Sequence, residues 1–167
     1  MSGKDKGMKT EHEFLLLRCE NGSKKNTIFS YRLFTLSDSS YTVLKSLDLS
    51  DKLFSCIWRF FSDVKTCSPS INGEYAVPTK GLNRFDITQF DKHAAYAVER
   101  ICAVCIENVK NGPELIVLDG DVSQIPENSI RIEMPKEKML CFFEALQQMS
   151  QNFIHRDDEL RFVHLGV

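Results

Sequence analysis

The 167-residue chain reads as an α+β protein: a single domain whose mostly antiparallel sheet is covered by two or three amphipathic helices. Three observations lead there. Between Asp91 and Lys110, residues Ala94, Val98, Ile101, Cys102, Cys105 and Val109 recur at three- and four-residue steps, the spacing of one helix face. Segments 85–90 and 129–134 instead alternate apolar and polar side chains, the period of a strand with one wet face. Asn21-Gly22, between apolar runs that begin at Phe14 and Thr27, is a hairpin signal.

Taken in order, residues 1–12 are expected to be a flexible tail, and 13–167 the domain. Phe14–Leu17 and Thr27–Leu36 supply the two hairpin strands. Ser37 or Asp38 can cap a short helix containing Tyr41, Val43, Leu44 and Leu47. Ser50-Asp51 caps a better one, with Leu53, Phe54, Ile57, Trp58, Phe61 and Val64 on its stripe and Lys52, Arg59 and Lys65 towards water. Residues 67–81, rich in Pro, Gly, Ser and Asn, read as the longest loop, where any sub-boundary would fall.

The segment Phe85–Phe90 leads as a strand into the central helix, which Asp91 caps. Asn111-Gly112 offers a positive-φ exit from that helix, and Pro113 stops it. A rival reading makes 96–107 a long strand, paired through Asn111-Gly112 to 114–118; the alanines and the broad stripe favour the helix. Leu115–Leu118 has no polar face, so its strand should be covered on both sides. Ser129–Met134 is a half-solvated strand, and Pro135 opens a last helix carrying Met139, Leu140, Phe143, Leu146 and Met149, with Phe142 beside them. Leu160–Leu165 closes the chain as a strand.

Composition narrows the functional classes. With 43% hydrophobic and 26% charged residues the chain can build a core, which argues against disorder. A formal net charge of −2 gives no general attraction to nucleic acid or anionic membrane. No apolar run reaches the roughly 18 residues of a membrane span, and the opening residues lack a secretory apolar segment. Six cysteines without export signal or regular framework are expected to be reduced thiols in cytoplasm or nucleus.

Four constellations carry candidate chemistry. Asp119-Gly120-Asp121 follows an aliphatic strand, and its two carboxylates could face a hard cation in a metal-assisted α/β enzyme. The same triplet also satisfies an ordinary turn. Cys102-Ala-Val-Cys105 has redox spacing but falls mid-helix among apolar residues, where packing is the simpler role. Histidines 12, 93, 155 and 164 have no spaced partners and read as surface or supporting residues.

Finally, Phe29 and Tyr31 lie among Lys24, Lys25 and Arg32, a mixture that can stack bases and meet phosphates of a single strand. The acidic second half opposes that reading. The balance favours a non-catalytic interaction, assembly or regulatory protein with a protein partner or a second copy of itself, and without a cofactor. A single-stranded nucleic-acid binder is the alternative, and the metal-assisted enzyme stands further back.

Overall fold

The centre of the fold is the antiparallel pairing of two strands from opposite ends of the chain, β1 (His12–Cys19) and β8 (Leu160–Gly166). In the computed structural model, residues 12–19, 41–69, 76–120, 130–156 and 160–166 are described. Around the central pair stand β2 (Tyr41–Leu49), β3 (Lys65–Pro69), β4 (Ala76–Lys80) and β5 (Ile87–Phe90). They give a six-stranded sheet ordered β2-β1-β8-β5-β3-β4, antiparallel at every pairing. Separately, β6 (Leu115–Gly120) and β7 (Ile130–Pro135) form a two-stranded ribbon. The helices are α1 (Asp51–Ile57), continued by a 3₁₀ turn at Trp58–Phe61, then α2 (Lys92–Lys110) and α3 (Lys136–His155). The α+β architecture is as expected, and no described helix is long and apolar enough to cross a membrane.

Strand alternation divides the core. Phe14, Leu16, Leu160, Phe162 and Phe90 point to the face covered by α2 and α3, where Ala94, Val98, Leu146 and Met149 meet them in the main cluster. Leu15, Leu17, Ile87, Val163 and Leu165 form a smaller cluster on the opposite face. Asp91 caps α2 by accepting the Ala94 amide at 2.7 Å, and Ser50 caps α1 by accepting that of Leu53 at 3.2 Å. The helix reading of 94–109 therefore holds, and the long-strand rival does not.

Five expectations are corrected. Tyr41–Leu47 is strand, not helix. A bulge lies opposite Leu16/Leu17, where the register skips Leu44, so Leu44 and Leu47 pack on the helix-covered core while Tyr41 packs with the opposite cluster. That bulge turns a strand into an apparent three-residue period.

The 67–81 loop is instead the outer hairpin β3–β4, with Thr66 Oγ1 3.0 Å from Thr79 Oγ1 across it; residues 70–75 lie outside the described residues. Its Pro78 is tolerated because β4 ends the sheet and needs no outward donor. β6 is covered on one side only, with Leu115 and Val117 exposed. The helix α2 ends on Asn111 in the right-handed region, and Gly81 is the described glycine with positive φ, not Gly112. The strand expected from Phe85 begins at Ile87, leaving Phe85 exposed. The second hairpin strand at 27–36 lies outside the described residues.

Gly81 joins the hairpin to the 3₁₀ turn: its amide donates to the Val64 carbonyl at 2.8 Å, and its φ is 71°. A Cβ there would stand 3.1 Å from Ser62 Cα. Gly81→Ala should therefore cost about 1–3 kcal/mol, read as a lowered urea midpoint; an unchanged midpoint would show that the turn relaxes freely.

Candidate functional site

Two places in this fold concentrate unusual chemistry, and they lie apart. The first is a recess of about 590 Å³, open to solvent. One wall is α2, through Ile101, Val104, Cys105 and Val109. The floor and opposite wall come from Ile116 and Leu118 of β6 with Met139 and Phe143 of α3. Phe60 closes one end. It faces out because the 3₁₀ turn advances three residues per turn, which keeps Phe61 buried and leaves Phe60 37% exposed. Arg100 is the one charged lining residue, and Asn108 adds a neutral polar group.

The walls are fixed by hydrogen bonds at their shared corner. The Lys136 amide donates to the Glu114 carbonyl at 2.8 Å, while its ammonium donates to the Lys110 carbonyl at 3.1 Å and lies 3.5 Å from Glu114 Oε1. One lysine thus ties the end of α2 and the starts of β6 and α3 together, at a helix C-terminus where a cation is favoured. What remains unsatisfied is apolar surface. Val104 is 61% exposed on the rim, and on the ribbon's outer face Leu115 and Val117 are 47% and 41% exposed. Arg100 has no ion-pair partner among the described residues.

The second place is a buried histidine pair. Residues 12 and 164 meet because β1 and β8 are neighbours, and both are essentially inaccessible. Imidazole His12 stacks on Phe54 with centroids 3.9 Å apart, Nε2 standing 3.0 Å from Asp51 Oδ1 and Nδ1 3.3 Å from His164 Nε2. Arg84 completes the outer end, its Nε 3.4 Å from Asp51 and its guanidinium donating to Ser55 Oγ.

The partners assign the tautomers. A carboxylate only accepts, so with a neutral His12 the ring donates from Nε2 and accepts at Nδ1, and His164 then donates from Nε2. That leaves His164 Nδ1 as an acceptor lone pair, the buried side-chain atom without a partner among the described residues. Burial, reinforced by His12, lowers its pKa to about 3, so it stays neutral. The array docks α1 onto the central strands.

The residues singled out from the sequence fall elsewhere. Lys24, Lys25, Phe29, Tyr31 and Arg32 lie outside the described residues, as does Asp121. Asp119 is in β6 rather than a loop, exposed, opposite Arg131, with its carbonyl accepting from Arg59 at 3.4 Å. Among the described residues no three His, Cys, Asp or Glu side chains cluster to hold a metal. Cys102 is buried and Cys105 lines the recess, and burial pushes both thiols up.

His12 and His164, read as surface or supporting residues, are instead buried. No local signal marks them, because strand pairing joins positions 152 residues apart. The recess did leave a trace: Ile101 and Cys105, at the edge of the predicted stripe, form one helical row with Val104 and Asn108. No family model, curated protein or solved structure matches the chain.

Proposed function

We propose that this is a non-catalytic interaction protein, and that the recess between α2, β6 and α3 takes up an apolar segment of a protein partner. The observation that supports it most is solvent-open apolar surface on a rigid frame. Val104, Phe60 and Ile116 border a recess of about 590 Å³, on two helices and a strand tied together by Lys136. Such surface is costly to leave in water, and patches of this kind mark binding sites. A small-molecule site usually encloses most of its ligand, whereas this recess is broad and open along a strand. The buried histidine array belongs to the scaffold in this reading.

A direct test selects random dodecapeptides displayed on phage against the intact chain, then measures their affinity for Val104→Asp. The substitution places a charge on an exposed rim position, so melting should move by no more than about 2 °C. Affinity should fall at least tenfold. Peptides whose affinity ignores Val104→Asp would place the binding surface elsewhere.

A further inference from the structure

The ribbon's register fixes which of its backbone groups are spoken for. β6 and β7 pair as Leu115↔Pro135 through Gly120↔Ile130, and the Glu114 carbonyl accepts from the Lys136 amide one step before. Opposed residues in an antiparallel ladder alternate between bonded and non-bonded pairs. Glu114–Lys136 is a bonded pair; so, in turn, are the pairs of Ile116, Leu118 and Gly120. The amides and carbonyls of Leu115, Val117 and Asp119 therefore point away from β7.

The Arg59 guanidinium confirms the direction, since it reaches the Asp119 carbonyl from that side. No described residue takes the outward groups of Leu115 or Val117. The recess lies on this same flank: Ile116 and Leu118 of β6 line it, and no described side chain of β7 does.

From this juxtaposition we infer that the partner segment binds as an added strand: an extended peptide pairs with the Leu115–Val117 edge of β6, drops alternate apolar side chains into the recess, and sets an acidic residue against Arg100. This rests on the recess being the docking site and specifies how it is used. Main-chain hydrogen bonds hold the peptide and the recess selects its side chains, the division of labour in strand addition.

Successive side chains of a strand point to opposite faces, so only every second residue can enter the recess. Arg100 is the lining charge without a carboxylate among the described residues, which gives the partner its sign. A second copy of this chain fits less well. A symmetric edge-to-edge pair centred on Val117 would set Asp119 against Leu115 of the other copy, and Arg59 already occupies the Asp119 carbonyl at both ends.

The test uses the dodecapeptides selected on the intact chain. Val117→Pro removes one outward donor without touching the bonds to β7, and methylation of alternate peptide amides removes the matching donors from the other partner. Peptides with apolar residues at every second position and a neighbouring Asp or Glu are expected. Their affinity should fall at least tenfold with Val117→Pro or with methylation in one of the two alternating registers. Arg100→Glu should weaken peptides bearing the acid and restore those in which it is changed to Lys.

Peptides with apolar residues three and four apart, sensitive to Val104→Asp but indifferent to Val117→Pro and to methylation, would overturn strand addition and leave the recess reading standing. A chain that selects no recess-dependent peptide overturns both. So does one that sediments as a dimer dissociated by Val117→Pro, which would give the edge to a second copy.

Discussion

Below pH 6.5 acidification should destabilise the protein progressively through His164, down to about pH 3. The sign follows from His164. Its folded pKa is held near 3 by burial and by His12, against an ordinary value of 6.5. Between those values the unfolded chain binds a proton that the folded chain refuses, so folding is favoured above the upper value and penalised progressively below it.

The groups around the ring make that refusal firm. His12 and Phe14 face it from β1, Phe54 from α1, and Thr88 is its register partner on β5. None of these is a carboxylate, and Nδ1 has no acceptor waiting for a proton. Urea titrations from pH 7.5 to 4 provide the measurement, with His164→Gln as the control. Glutamine keeps an N–H donor for His12 but does not titrate, so its stability should fall less steeply with acid. Parallel curves for the two proteins would mean that His164 binds its proton as readily in the fold as in the unfolded chain.

Phe162→Ala should cost about 3–5 kcal/mol, lowering the melting temperature by on the order of 10 °C in a chain of this size. Phe162 is fully buried on β8, and its ring lies 4.7 Å from Phe90, 6.3 Å from Phe14 and 6.0 Å from Phe153. Three strands and one helix thus meet on one side chain, and its truncation leaves a cavity that none can fill alone. Val104→Ala is the comparison. Being exposed, it should stay within about 0.5 kcal/mol of the parent. Equal losses from the two would contradict the placement of the core.

The strong periodicities in the sequence were legible because local and tertiary forces agree there. Asp91 caps, Ala94, Val98 and Cys102 turn into the core, and Pro135 precedes a helix whose Met139, Phe143 and Leu146 turn inward. Where they diverge, the pattern misled. At Tyr41–Leu47 a bulge exchanges the two faces of a strand, so that the pairing of β2 with β1 overrides a helical-looking spacing. In β3–β4, Pro78 and Gly81 are edge-hairpin residues, and their composition imitates a loop.

The aliphatic run of β6 is a strand, as its sequence predicts, but its lack of a polar face does not mean burial on both sides. Leu115 and Val117 are in fact exposed, and that discrepancy leads to the proposed docking edge. The histidine pair was illegible for a different reason. Nothing within ten residues of His12 or His164 announces the other, and only the pairing of the chain's two ends brings them within 3.3 Å.

Methyl NMR on the intact chain, titrated with a peptide selected against it, addresses the docking recess most directly. The account predicts that shifts concentrate on Ile101, Val104, Ile116 and Leu118, while Leu15, Leu17 and Val163 on the far face of the sheet stay still. Shifts confined to the far face, or spread evenly over both, would contradict it.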